Sequence, residues 1–347
     1  MVSITGLLLA VLLPAVGKAR DMGRMTISRS NLRQLALAHA AYAADWNDRQ
    51  VTLVDDNFAG YGGDATSAND QYQVANGHPH PPIFAGWGEI GVGWGYWFDG
   101  GVSPGNLMPI NFEGPLHCWG WFRLPNFKAL NSYVNGRVYD PVFYAPKDHV
   151  VWAVLDETDC LNIPYEFVDC YVNSYDGDTL IKSSYCLSPA ALLSPDVLRS
   201  EEAGGYQDPW TFGFQASLRV PSMSQARYSN LKTQFIEHHW LQNTHNDCNG
   251  WFTGGSYDGC EPFYFNLGRE SVPVTAFYDG HVRSLGVLEA MSADTRHRQQ
   301  GHGGLWSSDT PMGAEGYHML DSWDLLNYTS FHILTTDGIK GRDTLDK

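Results

Sequence analysis

The chain has 347 residues, which exceeds the usual size of a single hydrophobic core, so we expect two lobes or one lobe with insertions. Its formal net charge is −16 and no basic patch is visible, which argues against nucleic-acid binding because phosphate recognition needs clustered cations. Hydrophobic residues make up 43% of the chain, enough for a real core, while 36 glycines and 18 prolines predict a loop-rich β body.

The chain begins with an apolar run of seventeen uncharged residues (MVSITGLLLAVLLPAVG, 1–17), which Lys18 and Arg20 follow at once. No basic residue precedes the run, which argues against a secretory signal peptide. The run is a little shorter than the roughly 20 residues that span a bilayer, and Pro14 would kink a buried helix. Because the run starts abruptly at residue 1, we expect a membrane stem whose beginning is missing.

An amphipathic helix is predicted to continue from the apolar run. Five residues recur at spacings of 3, 4, 3 and 4 and share one helical stripe: Leu32, Leu35, His39, Tyr42 and Trp46. A helix continuous from Ile4 to Trp46 would be roughly 65 Å long at 1.5 Å per residue. A globular domain seldom needs a helix of that length, whereas the core of a filament does.

These N-terminal segments, GLLLAVLLPAVGKAR (6–20) and SNLRQLALAHAAYAADWNDR (30–49), resemble type IV pilin-like proteins, the pseudopilins. They are most similar to a prepilin-type subfamily with large heads that is abundant in planctomycete-like bacteria. If Gly6 is aligned on the family's glycine, Met1 falls several residues inside the mature protein. The family's cleavage signal, aromatic mature N-terminus and nearby acidic residue are absent from this sequence.

After the helix, the clearest pattern is a β-hairpin, in which a strand at 273–278 meets the turn Asp279-Gly280 and a second strand at 281–285. Asp279 and His281, two residues apart across a tight turn, are predicted to serve the turn itself. Further strands are predicted at 150–154, 211–214 and 232–237, and a short helix at 284–297. The sequence FYDGHV (277–282) resembles the FxDGHV signature of the same pilin-like subfamily, although Arg269 stands where many members have a histidine.

Six cysteines without a CxxC pair predict disulfides and an oxidising compartment. Two short, turn-rich loops favour the local pairs Cys160–Cys170 and Cys248–Cys260, which leaves Cys118 to pair with Cys186. Six cysteines allow fifteen connectivities, so other pairings remain open.

No catalytic motif is present: GxSxG, HExxH, P-loop and GxGxxG patterns are all absent from the sequence, and we predict that the chain is not an enzyme. Asp176, Asp178 and Asp247 lie in fragments that resemble parts of calcium loops. They lack the full DxDxDG spacing with a terminal glutamate, which excludes an EF-hand. No cofactor is predicted, and a looser calcium site is left open.

Together these features predict an α+β protein with an assembly helix at 1–48 and a large, disulfide-braced, β-rich head at 49–347. The resemblance implies a structural subunit of a pilus-like or pseudopilus filament, of the type IV pilus or type II secretion kind, which is held in the inner membrane before assembly. Its head would face the periplasm or the extracellular space. The residues expected to carry homopolymer assembly are Ile4, Leu7, Leu8, Leu12, Pro14, Leu32, Leu35, Tyr42 and Trp46.

Two other functions remain open. Twelve tryptophans and eighteen tyrosines suit contacts with glycans, so the chain could be a membrane-tethered carbohydrate-binding or carbohydrate-active surface protein that never polymerises. A surface-lattice or tubule subunit is the third alternative, and it would show larger contacts between heads.

Overall fold

The computed structural model of the chain describes residues 2–52, 71, 74–75, 108–110, 112, 120–162, 173–174, 177–178, 183–209, 219–237, 271–312 and 330–346. Within these residues, one long helix is combined with a small antiparallel sheet and several short helices, which is a mixed α+β fold. The α+β class predicted from the sequence is therefore confirmed, whereas the division at residue 48 stays a prediction.

The long helix, α1 (Val2–Asp45), is continuous for 44 residues, or about 66 Å at 1.5 Å per residue. It contains Pro14, which has no N–H to donate to the carbonyl four residues earlier, so one helical hydrogen bond is lost without ending the helix. The helix ends before Asn47 and Asp48, whose backbone angles φ of 54° and 66° are left-handed. Asparagine and aspartate tolerate this conformation better than most residues. The predicted long helix is confirmed.

In the described part of the chain, a separate two-stranded ribbon precedes a sheet of four antiparallel strands, which lie side by side in sequence order. The ribbon pairs β1 (Asn173–Ser174) with β2 (Gly177–Asp178). The sheet strands are β3 (Tyr185–Leu187), β4 (Thr233–Glu237), β5 (Val274–Phe277) and β6 (Val282–Ser284). The pairing of β5 with β6 confirms the predicted hairpin, and β4 confirms the strand predicted at 232–237.

Four shorter α-helices with full bounds are present among the described residues: α2 (Lys128–Asn131), α3 (His149–Thr158), α4 (Pro189–Leu192) and α5 (Val287–Gln299). The last agrees with the helix predicted at 284–297. The strand predicted at 150–154 is wrong, because those residues belong to α3. Asp148 begins this helix as an N-cap, with its carboxylate accepting the Val151 N–H at 3.3 Å, and that local bond outweighs the β propensity of the valines.

The hydrophobic core lies between the second half of α1 and the sheet, where α1 packs across β4, β5 and β6. Leu32, Leu35 and Tyr42 are buried there together with Phe235 and Phe277. Burial of apolar area of this kind is the main term that favours folding. The second half of the helix is therefore part of the head, and the first half extends from the head.

The cysteine prediction is wrong at Cys186, which is a free thiol on β3 and is fully buried. Burial raises its pKa well above the usual value, so the thiol stays protonated. The side chain serves as a small apolar group in the core rather than as a partner of Cys118. Cys160 is disulfide-bonded, and its pairing with Cys170 stays a prediction because Cys118, Cys170, Cys248 and Cys260 lie outside the described residues.

Candidate assembly helix

The two ends of α1 have different surroundings. All residues from 12 to 23 are exposed to solvent, including the apolar side chains of Leu12 (54% exposed), Leu13 (68%), Val16 (61%) and Met22 (60%). Pro14 lies on the same exposed segment. Ile4, Leu7 and Leu8 belong to the helix, but their side chains are outside the described residues. We call residues 2–20 the arm, which is about 28 Å long at 1.5 Å per residue.

The arm meets the head at Asp21. Its carboxylate forms an ion pair with Lys147, 2.8 Å away, in the turn that precedes α3. Met25, one turn further on, is half-buried and packs against the core. An ion pair with one half-exposed partner contributes little stability, so the packing from Met25 onward fixes the direction of the arm.

A buried cluster of polar side chains connects the second half of α1 to the sheet by hydrogen bonds. The Ser28 hydroxyl donates to the Glu237 carboxylate at 2.7 Å and lies 3.0 Å from the Tyr185 hydroxyl. Asn31 donates its amide to the Tyr144 carbonyl at 3.2 Å. Burial, and then the charge of Glu237, raise the pKa of Tyr185, so its hydroxyl keeps the proton that it donates to Ser28.

The buried polar cluster is not found by reading apolar periodicity. Ser28 and Asn31 nevertheless precede Leu32 and Leu35 on the same helical stripe, three and four residues apart. Polar residues on a buried stripe must find partners, and that is the signal that could have located them.

His39 joins the helix to the loop that follows it. Its Nε2 accepts the Val51 N–H at 2.9 Å, and its Nδ1 lies 3.0 Å from the Gln234 amide. The ring is fully buried and contacts Phe235 edge-on, with the ring centroids 5.7 Å apart. Burial lowers the pKa of His39 to about 3, so the ring is neutral in the fold.

Acidification is therefore expected to destabilise the fold through His39. Its pKa falls from 6.5 to about 3 on folding, so its stabilisation is complete above pH 6.5 and is lost as the pH drops toward 3. The loss is about 1.4 kcal/mol per pH unit inside this window. Urea unfolding at a series of pH values measures the slope, and His39→Gln should reduce it by that amount. Equal slopes for the two proteins would contradict this role.

Trp46 is the one member of the predicted stripe that is not buried. It lies one residue beyond α1 and is 49% exposed. Its ring stacks on Tyr42, with centroids 5.6 Å apart, and its Nε1 donates to the Tyr133 hydroxyl at 3.2 Å. The stripe ends at Tyr42 because the left-handed residues that follow turn the chain.

The predicted turn motif occupies the loop between β5 and β6. Asp279 accepts the backbone N–H of His281 at 3.1 Å, and Gly280 takes a φ of 83° that favours glycine. The His281 ring stacks on Phe277, with centroids 4.3 Å apart. The three residues therefore lie at the predicted turn, where Asp279 accepts a backbone N–H.

The calcium prediction falls mostly on residues that the structure does not describe. Asp176 and Asp247 lie outside the described residues, and Asp178 is described only as part of β2. In the described part of the chain, no group of three or more histidine, cysteine, aspartate or glutamate residues is placed to hold a metal ion.

Length and apolar character together decide whether a helix can cross a bilayer. Among the described residues, no helix meets both requirements.

No protein-family model, no curated protein and no solved structure matches this chain.

Proposed function

We propose that this chain is a structural subunit that polymerises through the arm of α1 into a pilus-like or pseudopilus filament. The observation that carries the proposal is the contrast along one continuous helix. One face of its second half is buried in the head, whereas Leu12, Leu13 and Val16 on its first half stay exposed. Isolated exposed apolar residues are common on protein surfaces, but an apolar arm without a core of its own is typical of an interaction segment.

The physical basis of assembly would be burial of the arm among the arms of neighbouring subunits. Fully burying a leucine or valine side chain contributes about 1.5–3 kcal/mol, so a few such contacts per subunit suffice for a stable polymer. Parallel helices with apolar stripes pack side by side with their ridges in each other's grooves. The acidic heads would then lie on the outside of the bundle.

The proposal includes a place in the cell envelope. The arm would be held in the inner membrane before assembly, and the head would face the periplasm or the extracellular space, where disulfides brace it. The resemblance of the N-terminal segments and of FYDGHV to pilin-like proteins supports this part of the proposal.

Negative-stain electron microscopy of the protein isolated from its native cells tests the proposal. Mass spectrometry of the same material identifies the first residue of the subunit that is imaged. Helical filaments containing this chain are expected. Discrete particles at all concentrations, each a single chain in detergent, would contradict the proposal and favour a tethered surface protein.

A further inference from the structure

A cleft of about 630 Å³ lies on the head, away from α1. Its walls come from four parts of the chain, namely residues 195–203, residues 227–228, the end of α5 with the following loop up to residue 305, and residues 336–342. A volume of this size suits a small molecule, since ligand pockets commonly measure about 300–1,000 Å³. None of its lining residues belongs to the arm.

Three cations line the cleft without a carboxylate partner among the described residues: Arg227, Lys340 and Arg342. The two guanidinium groups lie over the ring of Tyr228, at 5.4 and 4.7 Å from its centroid. Stacking on an aromatic ring holds a guanidinium in place and leaves its N–H groups free to bind an anion. Such a set is unusual in a chain with a net charge of −16.

We call these three cations the basic wall, and two histidines line the same cleft. The rings of His297 and His302 stack with centroids 4.6 Å apart, and both line the cleft. Burial, and then the charge of Arg342, lower the pKa of His297. His297 is therefore neutral near pH 7, and the positive charge of the wall comes from the arginines and the lysine.

Three carboxylates also line the cleft, and they limit the charge of the ligand. Asp196 is paired with Arg199 at 3.2 Å, and Asp337 accepts the backbone N–H of Ser200 at 3.3 Å. Glu202 is the third. These groups would repel a polyanion but would accept hydrogen bonds from hydroxyl groups.

We propose that this cleft binds a singly charged, hydroxyl-rich anion, which is the chemistry of a sugar acid. Arg227, Lys340 and Arg342 bind the anionic group by charge-assisted hydrogen bonds. Glu202 and Asp337, together with the hydroxyl of Ser200, accept hydrogen bonds from the hydroxyl groups of the ligand. The cleft lies on the head, so binding is independent of whether the arm assembles.

Isothermal titration of the full chain with three probes tests the proposal. Sodium galacturonate carries both the charge and the hydroxyl groups, galactose carries only the hydroxyl groups, and sodium sulfate carries only charge. The variants are Arg227→Gln and Arg342→Gln. The matched control is Arg219→Gln, an exposed arginine outside the cleft. Thermal unfolding of each variant establishes that it is folded.

Saturable binding of galacturonate is expected, with galactose and sulfate much weaker. Each cleft variant should weaken galacturonate binding by about tenfold to a hundredfold, while the control binds like the unaltered chain. Absence of saturable galacturonate binding to the folded protein would overturn the proposal. Equal affinity in the cleft variants, or tighter binding of sulfate than of galacturonate, would also overturn it.

Discussion

Replacing Asp343 with alanine is expected to lower the free energy of unfolding by about 3–5 kcal/mol, a large effect for a single substitution. Asp343 and Lys232 form an ion pair at 3.0 Å in which both side chains are buried. Lys232 also donates to the Thr335 hydroxyl at 2.6 Å and to the Ser188 hydroxyl at 2.9 Å. Removal of the carboxylate leaves an ammonium group in the core without a counter-charge. Urea unfolding at neutral pH measures the loss.

The direction of the Lys232 pKa supports this expectation. Burial lowers it, and the charge of Asp343 opposes that shift, so the ammonium depends on its partner to stay charged. The double variant Lys232→Met with Asp343→Leu should recover much of the stability, because an apolar pair of similar volume avoids the cost of burying charge. Asp346→Ala, on an exposed residue of the same segment, is the matched control. A loss below about 1 kcal/mol for Asp343→Ala would contradict the role of the pair.

The buried pair of Lys232 and Asp343 also positions the C-terminal segment that lines the cleft. Asp343 holds the C-terminal segment against β4, since its carboxylate accepts the Thr233 N–H at 2.8 Å. Its neighbour Arg342 and the nearby Lys340 line the cleft. We therefore expect the cleft to lose Lys340 and Arg342, two of the three cations of its basic wall, whenever this segment detaches.

Assembly is expected to be lost when aspartate replaces either Leu13 or Val16 on the arm. Both side chains are exposed in the single chain, so the melting temperature of the head should stay unchanged. In a polymer, each substitution would remove an apolar contact and bury a charge. The equilibrium constant for adding a subunit to the polymer should therefore fall by at least about tenfold. Sedimentation of the assembled fraction measures the effect.

Leu288→Asp provides the matched control for the arm variants. Leu288 is a leucine on α5 that is also about half exposed, so the chemical change is the same but lies on the head. It should leave assembly intact. If all three variants assemble equally well, or if none does, the arm has no special part in assembly.

The sequence allowed prediction of features that depend on local periodicity. The stripe through Leu32, Leu35 and Tyr42 predicted an apolar helix face, and Asp279-Gly280 predicted the hairpin. That face lies in the core of the head, whereas the sequence assigned the three residues to contacts between subunits. Each of the two patterns depends on residues a few positions apart, for which helix and turn geometry leave few alternatives. Residues 150–154 show the limit of that approach, because the Asp148 cap turned a strand-like run into a helix.

Contacts between distant parts of the chain were not predictable. Cys186 is buried against Ile236 of the neighbouring strand, so an even cysteine count misled the pairing. Ser28 meets Glu237 across more than two hundred residues, and the cleft brings Arg227, His297 and Arg342 together from three segments. No sequence pattern records such pairings, because the sheet register and the packing of α1 create them.

Photo-crosslinking from the arm tests assembly through α1 most directly. A benzophenone amino acid is placed at position 13 in one protein and at position 288 in another, and each is irradiated in its native envelope. A ladder of crosslinked multimers of this chain from position 13, with none from position 288, is the result that assembly through the arm predicts. A protein that stays monomeric or crosslinks only to lipid from position 13 would contradict it.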